Sequence, residues 1–406
     1  MNGTARWTVI ADDLTGAADS VAAYGAAHSS TVILDVRGHW PDARILAVNT
    51  ESRHLPEEEA AGLAGYCVQR SLDLGRQVFK KVDSLLRGHP GIETAAALSC
   101  LGDAGIALVA PAFPGTGRTT LGGVVHVNGI PHTAGPFGGD IRRALAAGGL
   151  EAAVISWTAD RTPAELAGHL RELQRRGVRA AVVDAESDQD LRDVVLAAGL
   201  LGDRALLVGS GGLAGHLLPG EPSVPGLPGE KGNGHGGHAA VRLGSGARAL
   251  CVIGSYSPLA AVQLAALVEA GASHLVLDHS RLDAIPAGLA EAVMAGDVVL
   301  TPDPSAPLAT AQAAAVARSL ADAALSVRQH CDLLVVSGGE TARAVLDALG
   351  TKYMEVLGQL EPGVVVNRLP GSAPLFVTKA GAFGDARTLV RTVETLKPTT
   401  SEMSTT

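Results

Sequence analysis

Short apolar runs alternate with Ala- and Leu-rich helical patterns along most of this 406-residue chain. A run of about five apolar residues followed by a helical period is typical of a buried parallel strand and its crossover helix. The alternation therefore predicts an ordered α/β protein. Aromatic residues make up only 3% of the chain, so Ala, Val and Leu must build the core.

The predicted strands divide into two sets. In the first half they are Trp7–Ala11, Thr31–Asp35, Ile45–Asn49, Gln77–Val82, Ile106–Ala110, Ala152–Ile155, Ala180–Asp184 and Ala205–Val208. In the second half they are Ala249–Ile253, His274–Leu277, Val298–Thr301, Leu333–Ser337 and Leu375–Thr378. Helical patterns such as Pro56–Leu72 and Pro163–Arg176 follow most of them. We expect two doubly wound, mostly parallel-sheet domains with a ligand cleft between them.

A segment rich in Gly and Pro, which cannot bury a core, separates the two halves. We predict an N-terminal domain over residues 1–218, a linker or mobile loop over 219–247, a C-terminal domain over 248–398 and a disordered tail over 399–406. His235 and His238 lie in the Gly/His-rich part of this loop, 229–246, without acidic or thiol partners. We assign no metal site to them, and no metal ligands elsewhere.

Charge and composition exclude several classes of partner. The formal net charge is −9, and no Lys/Arg cluster is interleaved with aromatic residues, which disfavours nucleic acid and anionic membranes. No apolar run reaches transmembrane length, and the N-terminus lacks the pattern of a signal peptide. The four cysteines are widely spaced, as is typical of reduced thiols. We expect a soluble cytoplasmic protein, and leave open whether it is a homo-oligomer.

Two adjacent carboxylates, Asp12 and Asp13, follow the first predicted strand at the point where an Ala-rich helix begins. Ligands of α/β folds bind at this end of the strands. A phosphate-binding turn at this place would be rich in glycine and free of acids, because backbone N–H groups and the helix dipole must face the anion. Asp12 and Asp13 therefore indicate a hydroxylated substrate, a metal ion or a proton to be accepted.

Further charges follow two other predicted strands. Residues two apart in a strand share a face, so Lys81 and Asp83 can reach one ligand. Arg87 can bind a carboxylate through paired hydrogen bonds, and Asp83 can accept a hydroxyl proton. A salt-bridged strand end is the structural alternative. Arg118 lies in a Pro- and Gly-containing loop after Ile106–Ala110, either in the site or in solvent.

Glycine-bearing turns replace the acids in the second half. They follow three predicted strands, at 254–258, 337–342 and 378–385, and Ser257 in the first is a predicted helix N-cap. Such turns offer N–H groups to an anion, and Lys379 adds a positive charge. Together they indicate a nucleotide site, although the chain has neither a P-loop nor a dinucleotide-binding glycine pattern. A similar turn, Leu207–Gly215, is interpreted as a hinge or as packing.

Five stretches, taken together and in order, resemble the four-carbon acid sugar kinase family: Ala11–Ala17, Lys80–Gly88, Pro111–Pro114 with Gly117 and Arg118, Ser337–Ala342, and Thr378–Gly384. The resemblance covers nearly the whole chain. It implies an enzyme that phosphorylates the terminal (C4) hydroxyl of threonate, erythronate or 3-oxo-tetronate with ATP and Mg²⁺. It also implies that the N-terminal domain holds the sugar acid and the C-terminal domain the nucleotide.

The resemblance assigns site residues to each half. The sugar-acid side comprises Asp12, Asp13, Lys81, Asp83, Arg87 and Arg118. The ATP side comprises Ser257, Gly338, Gly339, Glu340, Thr341 and Gly381, and charge adds Lys379. Two stretches depart from the family pattern. In Pro131–Ile141 the chain lacks the polar residue pair and the following Asp-Pro that relatives usually carry, which bears on the identity of the substrate. The stretch Gly363–Pro374, which precedes the last glycine-bearing turn, is shorter than in the family.

Phosphoryl transfer requires a base, cations and alignment of the hydroxyl with the γ-phosphorus. We expect Asp83, Asp12 or Asp13 to accept the C4 hydroxyl proton and Arg87 or Arg118 to bind the C1 carboxylate, with domain closure excluding water. The sequence does not rank the three aspartates. Two other hypotheses stay open, namely a non-catalytic sugar-acid-binding or sensor protein and, less favoured, an NAD(P)-dependent dehydrogenase.

Overall fold

The computed structural model describes residues 5–25, 28–156, 162–218, 242–244, 246–278, 281–282, 284–303, 312–371, 374–381 and 383–397. The chain forms two compact units, residues 1–225 and 226–406. Most of the predicted linker at 219–247, with His235 and His238, lies outside the described residues, as does the predicted tail at 399–406. The predicted domain limits and the predicted cleft stay predictions.

Unit 1 contains a large parallel sheet and a small antiparallel one. Its strands are β1 (Trp7–Ala11), β2 (Ser30–Ile33), β3 (Ile45–Asn49), β4 (Gln77–Lys81), β5 (Ile106–Ala110), β6 (Arg118–Leu121), β7 (Val124–Val127), β8 (Ile130–Pro131), β9 (Ala152–Ile155), β10 (Ala180–Val183) and β11 (Ala205–Gly209). In the large sheet the order is β2-β3-β1-β4-β11-β5-β10-β9, and all neighbours are parallel. The central strands are buried along their whole length, as expected where helices cover both faces.

All helices of unit 1 except the last connect these strands as crossovers. The helices are α1 (Leu14–Ala22), α2 (Glu57–Asp73), α3 (Pro90–Ser99), α4 (Ile141–Ala147), α5 (Pro163–Arg175), α6 (Asp188–Leu201) and α7 (Gly211–Ala214). Thr162 and Glu165 form a capping box that starts α5. The start of α7 is close-packed, because a Cβ on Gly212, the second residue of this helix, would lie 2.5 Å from the Ala112 carbonyl oxygen. This contact agrees with the packing interpretation of Leu207–Gly215.

The small sheet β6-β7-β8 was not predicted. Its second turn is Asn128-Gly129, with φ angles of 50° and 79°, and Asn-Gly with positive φ is a strong signal for a two-residue hairpin. The Pro- and Gly-containing loop after β5 ends at β6, and Arg118 is the first residue of that strand. The departure at Pro131–Ile141 runs from the end of β8 to the start of α4, and residues 133–136 within it are exposed.

Unit 2 has one sheet in the order β13-β14-β12-β15-β18-β17-β16. Its strands are β12 (Ala249–Ile253), β13 (Ser273–Leu277), β14 (Val298–Pro302), β15 (Leu333–Ser337), β16 (Tyr353–Glu361), β17 (Val364–Arg368) and β18 (Leu375–Lys379). Its helices are α8 (Pro258–Glu269), α9 (Leu289–Ala295), α10 (Ala313–Val327), α11 (Gly339–Ala348) and α12 (Thr388–Leu396). The first five strands are parallel, and β17 and β16 add an antiparallel edge that was not predicted.

The predicted fold class, α/β with mostly parallel sheets in two domains, is confirmed. Within unit 2 the core is built from Val, Leu, Ile and Ala of β12, β15, β17 and β18 against α8 and α12. Because the chain contains few aromatic residues, small and medium-sized aliphatic side chains fill this core. Among the described residues, no helix combines the length and apolar character that crossing a bilayer requires.

Candidate active site

The charged residues of unit 1 gather at the carboxyl ends of three neighbouring strands, β3, β1 and β4. Asp12 and Asp13 follow β1, Lys81 ends β4, and Asp83 comes two residues later. Arg53 lies in the loop that follows β3. Because parallel strands end at the same edge of a sheet, residues distant in sequence meet there. The structure brings together the four residues that the sequence placed on β1 and β4, and adds Arg53.

Arg53 connects the three aspartates. Its Nε lies 2.7 Å from Asp12 Oδ2 and its Nη2 lies 3.0 Å from Asp12 Oδ1. Nη2 also lies 2.8 Å from Asp13 Oδ1 and 3.7 Å from Asp83 Oδ2. Burial alone would lower the pKa of Arg53, but the three carboxylates outweigh burial and raise it. The guanidinium therefore stays charged and fixes the spacing of the aspartates.

Sequence reasoning did not find Arg53. It lies four residues beyond β3, in the polar loop Thr50–His54, and no spacing links it to the Asp12-Asp13 pair. The signal that could have found it is topological, since β3 is the parallel neighbour of β1. A polar residue soon after the carboxyl end of any strand next to β1 is a candidate for the same site.

Two of the three aspartates are held by local hydrogen bonds. Asp13 is the N-cap of α1 and accepts from Gly16 N at 3.2 Å and from Thr15 Oγ1 at 2.6 Å. Burial would raise the pKa of Asp13, but Arg53 and Lys81 outweigh burial and lower it. This carboxylate is a fixed anion that starts a helix.

Asp83 closes the turn after β4. Its Oδ1 accepts from Leu85 N at 3.0 Å and from Arg87 N at 3.3 Å, and its Oδ2 accepts from Arg87 Nη2 at 2.6 Å. Burial would raise the pKa of Asp83, but the hydrogen bond and charge of Arg87, with Arg53 and Lys81, hold it well below its usual value. Such a carboxylate is a weak proton acceptor at neutral pH.

Asp12 has a different environment. Its side chain is 3% exposed, and the hydrogen bonds that it accepts from other side chains both come from Arg53. Burial raises the pKa of Asp12 above its usual value, and the negative charges of Asp13 and Glu93 raise it further. The charge and hydrogen bonds of Arg53 lower this pKa, but they do not cancel the rise. Burial acts to raise the pKa of all three aspartates, but only at Asp12 does it outweigh the neighbouring cations. Asp12 is therefore the most basic of the three carboxylates. A general base works best when its pKa approaches the working pH.

Lys81 is a buried cation that faces this cluster. Its charge acts to lower the pKa of both Asp13 and Asp83. A Cβ on Gly16 would lie 2.6 Å from Lys81 Nζ and 2.5 Å from Asp13 Oδ1. Gly16, in the first turn of α1, thus leaves the space that the Lys81 ammonium fills.

Arg87 and Arg118 stand at the edge of the cluster. The Arg87 side chain is 55% exposed although its Nη2 contacts Asp83. Arg118 Nη1 donates to Ser84 Oγ at 2.5 Å, which ties β6 to the turn after β4. Burial lowers the pKa of Arg118, and Asp83 acts in the opposite direction. The binding of a ligand carboxylate by these two guanidinium groups stays a prediction.

In unit 2, three glycine-bearing turns lie side by side at the carboxyl ends of the neighbouring strands β12, β15 and β18. We call residues 254–257, 338–341 and 379–381 the glycine rim. Gly254 N donates to Ser337 O at 3.2 Å, and Gly338 N donates to Lys379 O at 3.0 Å. The three turns therefore form one continuous surface of backbone and hydroxyl groups.

Close approach explains the glycines of the rim. A Cβ on Gly254 would lie 1.9 Å from Thr341 Oγ1, so a side chain there would push α11 away from β12. Gly338 has a φ of 109°, which L side chains rarely adopt. A Cβ on Gly381 would lie 3.3 Å from Ser255 Oγ. Glycine at positions 254 and 381 thus lets neighbouring turns pack closely, and glycine at position 338 allows the positive φ.

Two helices begin at the rim. Ser257 caps α8 by accepting from Ala260 N at 3.2 Å, with Pro258 at the first helical position, as predicted. Helix α11 begins at Gly339, so Glu340 and Thr341 lie in its first turn. In the described part of the chain, no side chain caps α11. Its first N–H groups, which include those of Gly339, Glu340 and Thr341, can therefore face an anion.

Lys379 ends β18 at the rim. Its side chain is buried, and Nζ donates to the Gly381 carbonyl oxygen at 3.2 Å. Burial lowers the pKa of Lys379 to about 8, and Glu361 counteracts part of this shift. An anion such as a phosphate would favour the charged form of this lysine.

The described residues contain no group of three His, Cys, Asp or Glu side chains placed to hold a metal ion. Asp12, Asp13 and Asp83 are each paired with an arginine instead. Mg²⁺ is often held by one or two carboxylates together with substrate phosphates, so such a dedicated cage is not required. The described side chains therefore offer no dedicated magnesium cage, and the ion would be held mainly by the phosphates of ATP.

Curated relatives match the chain over nearly its whole length. D-threonate kinases from Cupriavidus necator and Bordetella bronchiseptica are each 34% identical, over 94% and 96% of this chain and 96% and 97% of their own. A 3-oxo-tetronate kinase from Methylobacterium radiotolerans is 29% identical over 93% of this chain and 96% of its own. A solved structure from Salmonella typhimurium LT2 has the same fold, with a TM-score of 0.77 and 23% identity over 95% of this chain and 98% of its own.

The fold and the two sites define a class, the small-molecule kinases with separate acceptor and nucleotide units. The model of a sugar-binding N-terminal domain matches residues 7–217, and that of a nucleotide-binding C-terminal domain matches residues 250–389. The chain belongs to the four-carbon acid sugar kinase family, and it is a sugar-acid kinase that uses ATP. This family membership overturns the two alternatives, a non-catalytic sensor and a dehydrogenase.

Proposed function

We propose that this kinase transfers the γ-phosphate of ATP to the C4 hydroxyl of D-threonate. The observation that carries the proposal is the cluster at β3, β1 and β4, where several cations surround one aspartate of raised pKa. Such a site suits a hydroxylated carboxylate. The choice of D-threonate among four-carbon acids follows the two relatives at 34% identity, both D-threonate kinases.

Asp12 is the proposed general base. The C4 hydroxyl oxygen attacks the γ-phosphorus, the hydroxyl proton passes to the Asp12 carboxylate, and ADP leaves with the electrons of the broken P–O bond. Arg53 and Asp13 hold Asp12 in place through the 2.7 Å and 2.8 Å contacts of the guanidinium. Lys81 neutralises charge near the reacting oxygen, and Arg87 and Arg118 bind the C1 carboxylate.

The glycine rim is the proposed ATP site. The N–H groups at the start of α11 and the hydroxyl of Ser257 suit phosphate oxygens, and Lys379 supplies a positive charge beside Gly381. Glu340 and Thr341 lie in the first turn of α11, where an incoming nucleotide would contact them. Mg²⁺ would enter on the phosphates of ATP, where it screens their charge, and the steps above need only the residues of this chain. The cytoplasmic location and a homo-oligomeric state stay predictions.

A substrate panel tests the reaction. The purified enzyme is given Mg·ATP with D-threonate, D-erythronate or 3-oxo-tetronate, and ADP release is measured by a coupled assay. We expect the highest kcat/KM with D-threonate. A higher value with one of the other two acids would replace the proposed substrate, and no ADP with any of the three would overturn the proposal.

Replacing each aspartate by asparagine tests the assignment of the base. We expect Asp12→Asn to lower kcat by about 100-fold or more, since it removes the proton acceptor. Asp13→Asn and Asp83→Asn should change mainly the KM for the sugar acid and the melting temperature, because these carboxylates cap turns. A near-normal kcat in Asp12→Asn would exclude it as the base.

A further inference from the structure

A fully buried ion pair lies directly behind the cluster. Lys80 of β4 has 0% exposure and Glu93 of α3 has 2%, and Lys80 Nζ lies 2.6 Å from Glu93 Oε2. Neither residue is among those proposed to touch a substrate. Burying two charged groups costs desolvation free energy, so the presence of this pair beside the candidate site needs a physical explanation.

Lys80 fixes the ends of two strands. Its ammonium donates to the Ile10 carbonyl oxygen at 3.2 Å and to the Lys81 carbonyl oxygen at 2.8 Å, besides its contact with Glu93. An ammonium has three donors, so Lys80 is fully used. It therefore ties β1, two residues before Asp12, to the last residue of β4.

Glu93 extends the same network to β3. Its Oε1 accepts from Ser52 Oγ at 2.6 Å, and Ser52 Oγ lies 2.7 Å from Thr50 Oγ1. Thr50 Oγ1 and Thr50 N both lie 2.9 Å from the Ala11 carbonyl oxygen. Farther along the same loop, Arg53 N donates to the Asp12 carbonyl oxygen at 3.3 Å.

Donors from other segments thus bind three consecutive carbonyl oxygens at the carboxyl end of β1. These are the oxygens of Ile10, Ala11 and Asp12, and the donors belong to Lys80, Thr50 and Arg53. Lys80 and Glu93 lie at the centre of the connections to β4, α3 and the loop after β3. A small shift in any of these would move the Asp12 carboxylate, and misplacement by about 1 Å can cost about 100-fold in rate.

A buried ion pair is weak support for stability. Desolvation of two charges offsets most of their attraction, and uncharged replacements of similar volume are often neutral or stabilising. The position of this pair, behind Asp12 and away from solvent, therefore favours a role in geometry and charge over a role in holding the fold.

We infer that Lys80 and Glu93 are positioning residues for phosphoryl transfer, which hold Asp12 in its reactive place. The inference rests on the proposed function of Asp12 as base. The charged groups around Asp12 are Asp13 in its own turn, Arg53 after β3, Lys80 and Lys81 on β4, Asp83 and Arg87 in the next turn, and Glu93 on α3. The negative charge of Glu93 acts to raise the pKa of Asp12, after burial and Asp13.

The double variant Lys80→Met/Glu93→Gln tests the inference, since it removes both charges at similar volume. We expect a melting temperature within a few degrees of wild type and a kcat with D-threonate reduced about 10- to 100-fold. The KM for ATP should not change, because the glycine rim lies in unit 2. Because the pair is neutral overall, the double variant should leave the acidic limb of the pH profile of kcat/KM nearly in place. The single variant Glu93→Gln keeps the charge of Lys80 and removes a negative charge that raises the pKa of Asp12, so its acidic limb should move to lower pH.

Ser52→Ala provides a further variant that changes no charge and is expected to fold. It breaks the link between Glu93 and Thr50, and should lower kcat several-fold without moving the acidic limb. Glu172→Gln is the matched control, because it removes a solvent-exposed pair, Arg175–Glu172 at 2.7 Å on α5, and should leave all values at wild type.

The outcomes separate this inference from the proposed function. If wild type releases no ADP, or if Asp12→Asn stays active, the proposed function fails. If both of those tests succeed, the inference is wrong and the pair is merely structural when the double variant and Ser52→Ala keep the wild-type kcat per folded enzyme and Glu93→Gln leaves the acidic limb in place. A lower kcat in the double variant together with a moved acidic limb in Glu93→Gln supports the inference.

Discussion

At the scale of single residues, the environment separates groups of the same chemical type. Asp12, Asp13 and Asp83 carry the same carboxyl group within one cluster. Burial raises the pKa of Asp12, whereas cations and local donors lower those of Asp13 and Asp83. The sequence placed all three correctly near strand ends but could not rank them, because burial and hydrogen bonding depend on partners distant in sequence.

Gly16→Ala should weaken binding of the sugar acid. The new methyl group would overlap Lys81 Nζ and Asp13 Oδ1, at 2.6 Å and 2.5 Å, and displace the ammonium. Loss of one charge-assisted contact corresponds to about a tenfold increase in the KM for D-threonate. Steady-state kinetics measure it, with Gly168→Ala as control, since nothing lies within 4 Å of that helical position. Equal effects of both variants would contradict the role of Lys81.

Lys379 should make nucleotide binding depend on pH. Its pKa in the protein is about 8, below its usual value, so the ammonium is charged at pH 7 and loses its proton as the pH rises through 8. Phosphate prefers the charged form, and the dissociation constant for ADP should therefore rise, by up to about tenfold, between pH 7 and pH 9. Isothermal titration calorimetry measures this dependence.

Lys379→Met should bind ADP more weakly at pH 7 and lose the pH dependence. Lys352→Met, at an exposed position, is the control and should behave as wild type. An unchanged pH dependence in Lys379→Met would show that another group titrates, and Lys379 would then be removed from the proposed ATP site.

At the scale of elements, strand and helix positions followed closely from local patterns. The predicted Trp7–Ala11, Ile45–Asn49, Ile106–Ala110 and Leu333–Ser337 agree with the observed strands residue for residue. The antiparallel elements β6 to β8 and β16 to β17 were missed. Apart from β17, which begins with three buried valines, these strands are partly exposed and interrupted by glycine or polar residues, so they lack the continuous apolar run of the parallel strands.

The contact between β12 and α11 gives a prediction for the glycine rim. In Gly254→Ala, the Cβ would lie 1.9 Å from Thr341 Oγ1, and the start of α11 would have to move. We expect the KM for ATP to rise about tenfold or more, with the KM for D-threonate unchanged, because the N–H groups in the first turn of α11 would be displaced. Gly296→Ala in the same unit meets nothing within 4 Å and should match wild type. A wild-type KM for ATP in Gly254→Ala would argue against ATP binding at the rim.

At the scale of the whole molecule, the two units have separate chemistry. Unit 1 presents carboxylates and cations, and unit 2 presents N–H groups, hydroxyls and Lys379. The family models divide the chain in the same way, into a sugar-binding and a nucleotide-binding part. Each ligand should therefore stabilise its own unit first.

Hydrogen exchange with mass spectrometry can test this division. D-threonate alone should slow exchange in segments 12–16, 50–54 and 81–88, and ADP alone should slow it in the glycine rim, since a bound ligand lowers the population of locally open states. Citrate and inorganic phosphate at the same concentrations serve as controls for binding of any anion. Protection of the rim by D-threonate, with none in unit 1, would reverse the assignment of the two sites.

The sequence by itself determined the fold class and the places where chemistry could occur. Strand runs, helix caps and glycine turns are local patterns, and the carboxyl ends of parallel strands follow from them. Only the tertiary structure decided which residues share a site and how they differ. Arg53 reaches Asp12 because β3 pairs with β1, and Lys80 lies behind Asp12 because β4 pairs on the other side. Strand order and desolvation depend on contacts between distant segments, and local sequence patterns do not encode them.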